Sequence, residues 1–322
     1  MTDTLRDVGR ASLDAGLELT SRISPYYWIP TLLIAFAVER ALAPAERSGI
    51  FRRLVPTKKG VGRTHLVDAV LMVVGFVVQT TGILSFATIA ALFAVLTADA
   101  LEGAGFGGHA SGPWVVAFLT ITTAVTADFC TYWVHRLHHR IPVLWPFHEV
   151  HHSAEVMSPV TFYRKHPVYD AFHNLFIAIA GGALQGAISA LLVGEPNAFL
   201  IGNVNALYFL FNLTGSNLRH SHVWLSYGPR LSKWLVSPAM HQCHHSRAVR
   251  HHDKNFGEVF AVWDRMFGTL YVPLAPEALE FGLADREGKA LPQPHDGVVA
   301  ALLGPFRASL LALSNAFTRR PQ

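Results

Sequence analysis

The chain has 322 residues, of which 51% are hydrophobic and only 15% are charged. A soluble domain carries about 25% charged residues, so this composition is typical of an integral membrane protein. The net charge of +4 does not indicate nucleic-acid binding, because the basic residues of an apolar chain mark its cytoplasmic loops.

The N-terminal third of the chain begins with a mixed polar segment, residues 1–25, which lacks the short apolar core of a signal peptide. A first apolar span is predicted over residues 27–44. The following segment, 46–65, carries six Lys and Arg residues, and the positive-inside rule places it on the cytoplasmic side. No linker rich in Pro, Gly or Ser interrupts the chain, so we predict one membrane domain over residues 1–322.

The next apolar run, residues 66–97, is longer than the ~20 residues that one membrane span needs. It fits either one long tilted helix or a hairpin around Thr80–Gly82. The loop 98–112 contains acidic residues but no Lys or Arg, which favours the outer side of the membrane. Because segment 46–65 is predicted on the cytoplasmic side and loop 98–112 on the outer side, the chain between them should cross the membrane once, which favours the single helix.

Further spans are predicted over residues 113–134, 168–192 and 197–214, the last two joined by a turn at Gly194–Asn197. The run 296–318 is interrupted by a proline and an arginine, and we predict that it lies at the membrane interface. Together these elements predict an all-α integral membrane bundle of about four to five spans. A histidine-rich helical cap on the cytoplasmic side would hold a site for two metals.

Three groups of histidines lie at the ends of these spans or just beyond them. Residues at i, i+3 and i+4 of a helix share one face, so an HxxHH sequence can aim up to three imidazoles at one point. Imidazole is the commonest metal ligand in proteins and suits Zn, Cu, Fe and Ni. Eight convergent imidazoles exceed the needs of one tetrahedral zinc, which predicts two metals. The eight are His135, His139, His148, His151, His152, His241, His244 and His245.

Three other residues that could take part in a metal site lie close to these groups. Asp128 is an ionisable residue at membrane depth, seven positions before His135, and we predict that it accepts a hydrogen bond from a ligand histidine. The alternative is a carboxylate paired with an arginine near the interface. Cys130 and Cys243 are interpreted as small buried apolar residues, with a thiolate metal ligand as the alternative.

Seven sequence pieces, in this order, resemble the fatty acid hydroxylase/sterol desaturase superfamily of membrane-bound non-haem di-iron enzymes. The resemblance covers about residues 113–273. The pieces are DFCTYWVHRLHH (128–139), WPFHEVHHS (145–153), FYRKHP (162–167), LRHSH (218–222), SPAMHQCHHS (237–246), KNFG (254–257) and VWDRMFGTLY (262–271).

The resemblance implies that the eight histidines are iron ligands and adds His220 as a ninth. His166 and His222 are further candidates, which leaves the number of ligands open. His138 departs from the expected spacing and is interpreted as a neighbour of the site. His251 and His252 are expected to be solvated or to support the ligands. Ordinary polar or surface roles are expected for His65, His109, His173 and His295.

The activity implied by the resemblance is O₂-dependent hydroxylation or desaturation of a membrane lipid by two irons. The residues do not separate hydroxylation, desaturation and ether cleavage. An external electron donor of ferredoxin or cytochrome type is implied, with the active site on the cytoplasmic side of a bacterial inner membrane. The alternatives are a non-catalytic metal protein, such as a zinc transporter, and a histidine-based pH sensor.

Overall fold

Helices dominate the computed structural model, which describes residues 24–42, 49, 52, 54, 62–83, 86–193, 200–201 and 204–318. A two-residue antiparallel ladder joins β1 (Leu200–Ile201) to β2 (Val204–Asn205). The predicted all-helical membrane fold is confirmed. The helices are α1 (Pro25–Ala41), α2 (Gly62–Thr80), α3 (Ala87–Gly103), α4 (Pro113–Arg140), α5 (Trp145–His152), α6 (Pro167–Ile188), α7 (Ala206–Leu213), α8 (Gly228–Leu231), α9 (Pro238–His244), α10 (Val262–Met266) and α11 (Val298–Thr318).

Four helices in the described part of the chain are long and apolar enough to cross a membrane. They are α2, α4, α6 with its π-helical continuation, and α11. This number agrees with the predicted four to five spans. The N-terminal segment 1–25 lies almost entirely outside the described residues, and the basic segment 46–65 lies mostly outside them, so its predicted cytoplasmic side stays a prediction.

The apolar run 66–97 forms two helices, α2 and α3, and the favoured single helix is therefore wrong. The chain turns at Thr81 and Gly82, and Gly82 has a φ of 67°, a left-handed conformation that favours glycine. The Thr81 hydroxyl donates to the carbonyl of Val78 at 2.8 Å. Local turn chemistry decides where a helix ends, whereas the charge of a later loop reports only on sidedness.

Helix α3 packs closely against α6 through small residues on both helices. A Cβ added to Gly182 would lie 2.3 Å from the carbonyl oxygen of Ala90, and one added to Gly186 would lie 2.0 Å from that of Ala94. Small residues four positions apart allow helix backbones to approach within a membrane. This contact places α3 beside α6, where both helices line an apolar cavity.

The predicted span over 197–214 is wrong for the residues that the structure describes. Helix α7 has 8 residues, and at 1.5 Å per residue it covers ~12 Å of the ~30 Å hydrocarbon layer. Its N-cap, Asn205, accepts from Leu207 N and donates to the carbonyl of Thr120 on α4. The predicted turn at Gly194–Asn197 lies outside the described residues.

The C-terminal run does not break where its proline suggested. Helix α11 continues through Pro305, which is buried, and has the length and composition of a span. Its Ser309 hydroxyl donates to the carbonyl of Val143 at 2.8 Å. The helix therefore packs against the loop that precedes α5, the helix with the second histidine group. Such tertiary contacts compensate for the backbone hydrogen bond that is lost at Pro305.

A buried ion pair holds α2 against the segment that follows α5. Arg164 Nη1 lies 2.9 Å from Asp68 Oδ1, and both side chains are almost completely buried. Arg164 also donates to the carbonyls of Val150 and His295 and to the hydroxyl of Ser153. A buried charge needs such partners to offset its desolvation, so Arg164 joins three distant segments at one point.

Candidate metal centre

The nine histidines predicted as ligands meet in two adjacent clusters. In each cluster one ring nitrogen per histidine lies within 4.8 Å of the corresponding nitrogens of the others. All nine are buried except His139, which is half-buried. The five-histidine cluster is His135, His139, His148, His152 and His244, and the four-histidine cluster is His151, His220, His241 and His245.

The HxxHH groups on α5 and α9 each divide their rings between the two clusters, whereas His135 and His139 of the first group share one cluster. On α5, the i, i+4 pair His148 and His152 belongs to the five-histidine cluster, whereas His151 belongs to the other. On α9 and its C-cap the pattern is reversed, since His241 and His245 share the four-histidine cluster and His244 faces the first. The two short helices therefore bridge both clusters. The HxxHH spacing alone predicts instead that up to three rings of one group point at a single metal.

The spacing of nitrogens around His152 is that of ligands around a cation. Its Nε2 lies 3.1 Å from His139 Nε2, 3.2 Å from His148 Nε2 and 3.1 Å from His244 Nε2. A neutral imidazole carries one N–H, so three such contacts cannot all be hydrogen bonds. Metal–nitrogen bonds of about 2.0–2.1 Å place neighbouring ligand atoms roughly 3 Å apart, which fits these distances.

The four-histidine cluster repeats this spacing. His220 Nε2 lies 3.2 Å from His151 Nε2 and 3.1 Å from His241 Nε2, and His245 Nε2 lies 3.1 Å from His241 Nε2. His220 comes from a short 3-10 helix, Ser216–His220, far from the HxxHH groups in sequence. The resemblance alone suggested it, and the fold brings it into contact with His151 and His241.

Backbone carbonyls orient three of the rings. A carbonyl can only accept, so each Nδ1 must carry the proton and each Nε2 is left with its lone pair for a metal. The pairs are His135 with Phe256 at 2.8 Å, His151 with Arg164 at 3.2 Å, and His244 with Lys254 at 2.7 Å.

One of these rings shows directly that the site fits a cation. His135 Nε2 is buried and has no hydrogen-bond partner in the part of the chain that the structure describes. A buried nitrogen left unpaired costs about 1–3 kcal/mol. A metal ion bound there would offset this cost, and the other rings of its cluster would complete the ligand set.

Burial lowers the pKa of six cluster histidines that lie beyond the spanning helices and keeps these rings neutral at physiological pH. It lowers the pKa of His244 to about 4 and that of His151 to about 3. Burial, together with neighbouring histidines, lowers the pKa of His148, His152, His241 and His245 well below the usual range. Only the neutral ring offers a lone pair to a metal, so these rings are ready to bind.

The predicted hydrogen bond from a ligand histidine to Asp128 is wrong. Seven residues of α-helix separate Asp128 from His135 by about 10 Å along the axis, which is too far for direct contact. Among the residues that the structure describes, no arginine pairs with Asp128 either. The Asp128 carboxylate instead accepts from Val259 N at 2.8 Å, Phe260 N at 3.0 Å and Trp263 Nε1 at 2.9 Å.

The two further ligand candidates lie outside both clusters. His166 caps α6, where its Nδ1 accepts from Val168 N at 3.1 Å and its Nε2 donates to the carbonyl of Leu302 at 2.9 Å. Both of its nitrogens are therefore occupied. His222 lines a separate cavity and packs against the ring of Phe281.

His138 also lies outside the clusters, as its spacing indicated. It is fully buried, its Nδ1 donates to the carbonyl of Val134 at 2.8 Å, and its ring packs on Tyr169. His138 is therefore a buried neighbour of the centre.

Three residues that sequence reasoning did not single out support the centre. Tyr169 stacks on His148 with ring centroids 4.8 Å apart, and Arg164 supplies the carbonyl for His151. The Asp264 carboxylate accepts from the backbone amides of Phe256 and Gly257 at 2.8 and 2.9 Å. Arg164 lies in the piece FYRKHP, Asp264 lies in VWDRMFGTLY, and Tyr169 follows FYRKHP by two residues. The family resemblance therefore included or adjoined all three residues, but it assigned no role to any of them.

A cavity of about 80 Å³ opens on rings of both clusters. Its polar wall includes Lys165, Arg219 and Glu258, and the last two form an ion pair of 3.7 Å. At the membrane side, Thr131 Oγ1 lies 3.1 Å from His173 Nε2, and both line this cavity. His173, predicted to be an ordinary polar residue, is thus part of the lining.

A second cavity, of about 200 Å³, is lined almost entirely by apolar and small residues of α3, α4 and α6. Ala127 and Ile177 face it, each one helical turn from Thr131 and His173 respectively. The apolar cavity therefore begins one turn from the cavity at the histidines.

Comparisons with known proteins point to one family. Residues 120–269 match the family model described as fatty acid hydroxylase. Relatives include the ornithine lipid hydroxylase OlsE of Rhizobium tropici, 32% identical over 60% of this chain and 52% of that protein. The alkylglycerol monooxygenase of Homo sapiens is 30% identical over 49% of this chain and 32% of that protein. The Delta(7)-sterol 5(6)-desaturase ERG3A of Gibberella zeae is 28% identical over 56% of this chain and 48% of that protein.

The chain thus spans about half of the ornithine lipid hydroxylase and a third of the monooxygenase. No solved structure matches it.

Proposed function

The region from residue 120 to residue 269 belongs to the fatty acid hydroxylase/sterol desaturase superfamily, and from this premise we propose that the protein is an O₂-dependent lipid oxidoreductase. It would hydroxylate or desaturate a C–H bond of an acyl, sterol-like or related membrane lipid. The observation that carries the proposal is the pair of buried imidazole clusters opening on one cavity.

Two iron ions are the metals that we propose for this centre. The five-histidine cluster would hold one and the four-histidine cluster the other. When bound, the irons supply the activation of O₂ that breaking an unactivated C–H bond requires, since no side chain has that oxidising power. Among the described residues both clusters consist of imidazoles alone, so the protein would offer each iron nitrogen ligands.

The protein's own residues hold the rings in place and shield them from water. Carbonyls of Phe256, Arg164 and Lys254 set the ring orientations, and the loss of such supporting partners costs about 10–100-fold in metal affinity or activity. The rings of Tyr169 and Phe256 cover the clusters and exclude bulk water.

The lipid would approach through the apolar cavity between α3, α4 and α6. An apolar chain fits this lining, and its reacting carbon would pass Thr131 and His173 to reach the rings. The charged residues on the other wall, Lys165 and Glu258, fit a polar end of the lipid or a hydrated entrance.

Hydroxylation by O₂ uses two electrons in addition to those of the C–H bond. We propose an external donor of ferredoxin or cytochrome type that reaches the centre from the cytosol. The basic segment 46–65 supports placing the histidine-bearing end on the cytoplasmic side of a bacterial inner membrane.

A comparison of lipids from a host with and without the gene tests the proposal. Under aerobic, iron-replete conditions, mass spectrometry should show a lipid that gains one oxygen or loses two hydrogens. The His152→Ala variant should abolish this product, and the matched variant His109→Ala, at an exposed histidine outside the clusters, should retain it.

Unchanged lipids together with zinc flux into vesicles would overturn the enzyme in favour of a transporter. The geometry argues against that alternative. Transporters bind ions near the bilayer midplane, whereas these rings gather at the end of α4 and on short helices beyond it.

A further inference from the structure

A third group of metal-binding side chains lies apart from the nine histidines. The ligand atoms of Cys243, His251 and Glu277 lie within 4.8 Å of one another. Cys243 is on α9, rotated by about 200° from His241 and about 160° from His245, so it faces away from the four-histidine cluster. We call Cys243, His251 and Glu277 the cysteine cluster.

His251 is oriented as a ligand without a conventional partner. Its side chain is completely buried, and neither ring nitrogen forms a hydrogen bond with the residues that the structure describes. Its Nε2 lies 3.2 Å from Glu277 Oε2, yet the alignment of a hydrogen bond is lacking. Buried polar nitrogens are normally paired, and the unprotonated nitrogen of this ring has a lone pair that can bind a metal ion.

The three donors form a set that zinc prefers. Thiolate sulfur, imidazole nitrogen and carboxylate oxygen are the ligands of zinc in proteins. The two histidine clusters contain nitrogen alone, so sulfur distinguishes this group from them. We propose that Cys243, His251 and Glu277 bind a zinc-type divalent cation at a site separate from the dimetal centre.

Glu277 is held in a position to act as a ligand. Its Oε1 accepts from the Tyr271 hydroxyl at 2.7 Å, and its Oε2 faces His251 and the Arg250 guanidinium. The Arg250 side chain is 59% exposed, so it turns to solvent when a divalent cation takes its place beside the carboxylate. Binding releases the thiol proton of Cys243 and forms the metal–sulfur bond.

The bound cation would join three segments that the backbone leaves separate. Cys243 lies on α9, His251 ends the 3-10 helix Val249–His251, and Glu277 lies 26 positions further on. Because α9 also carries His241 and His244, the cation would position the third histidine group from behind. The cysteine cluster does not line the cavity of about 80 Å³ beside the two histidine clusters.

X-ray absorption at the zinc edge of the full-length protein tests this site directly. The protein is expressed with both zinc and iron and purified in detergent. We expect about one zinc per chain with one sulfur neighbour at about 2.3 Å. A zinc spectrum with nitrogen and oxygen neighbours alone would overturn the proposal, whatever the fate of the lipid activity.

Matched cysteine variants assign the sulfur. Cys243→Ser should lose the sulfur signal and most of the zinc, whereas Cys130→Ser, at the other buried cysteine, should keep both. Glu277→Gln should weaken zinc retention against a chelator by about tenfold or more. Equal zinc and an equal sulfur signal in Cys243→Ser would refute the assignment. If Cys243→Ser does not fold, the spectrum of the unmodified protein still decides the question.

Discussion

The ring of His135, on a membrane-spanning helix, donates from Nδ1 to the carbonyl of Phe256 at 2.8 Å, across 121 positions of sequence. Asp128, on the same helix, accepts from the amides of Val259 and Phe260. Helix α4 therefore carries a candidate metal ligand and also anchors, two turns earlier, the segment that orients this ring. The buried Asp128 carboxylate holds the segment around Phe256 in place, and Phe256 in turn orients the His135 ring in the candidate metal centre.

Replacement of Asp128 should loosen this segment. In Asp128→Ala three donors, one buried and two half-buried, lose their acceptor, and the buried amide of Val259 alone costs about 1–3 kcal/mol in the free energy of unfolding. We expect a lower thermal midpoint in detergent and weaker iron retention, because Phe256 no longer holds His135 firmly. Asp99→Ala, at an exposed carboxylate on α3, is the control and should change neither quantity. Equal effects in both variants would contradict the anchoring role.

His152 and His138 are both buried, so two His→Ala substitutions of equal size can test which histidines bind metal. His152→Ala should remove metal from the five-histidine cluster and lower lipid oxidation by more than about 100-fold, since its Nε2 contacts three ligand nitrogens. His138→Ala should keep the metal, because its ring contacts Val134 and Tyr169 instead. Metal content by elemental analysis distinguishes the two, and equal loss in both would count against the cluster assignment.

Narrowing the apolar cavity should affect the substrate without affecting the metals. Ala127→Phe fills the cavity beside Ile177 and should reduce lipid turnover by about tenfold or more, with iron content unchanged. Ile121→Phe, on the half-exposed face of the same helix, adds bulk away from the cavity and serves as the control. Turnover and iron content are measured on the same preparations. Unchanged turnover in Ala127→Phe would exclude this cavity as the lipid path.

The close approach of α3 and α6 predicts different costs at neighbouring glycines. In Gly182→Ala the new methyl group meets the carbonyl of Ala90 at 2.3 Å, and the helices must separate, which costs about 1–3 kcal/mol. In Gly181→Ala the nearest atom is a methyl of Ile177 at 3.8 Å, an ordinary contact. Thermal unfolding should therefore distinguish two substitutions one residue apart. Similar midpoints would show that the α3–α6 contact is looser than described.

The metal-free protein should lose stability on acidification. Burial lowers the pKa of His244 to about 4 in the folded chain, compared with 6.5 for an unperturbed histidine. Below pH 6.5 the unfolded chain therefore binds more protons than the folded chain, and stability falls as the pH decreases towards 4. We expect a lower thermal midpoint at pH 5.0 than at pH 7.5. In His244→Gln the difference should be smaller, and a midpoint that rises on acidification would contradict the burial of neutral rings.

Apart from His220, which only the family resemblance suggested, the amino-acid sequence by itself determined the membrane character of this protein, most of its long helices and the histidines that meet at the centre. These features depend on composition and on the spacing of residues along one helix, so they are visible in a linear pattern. Tertiary structure alone decided that the HxxHH groups on α5 and α9 divide between two clusters, because that depends on the angle at which these helices meet α4. The partners of Asp128 and the cysteine cluster were equally hidden, since they join residues whose distance in sequence carries no information about contact. The break between α2 and α3 and the short α7 were missed for a different reason: turn chemistry and packing outweigh the apolar composition from which a span is predicted.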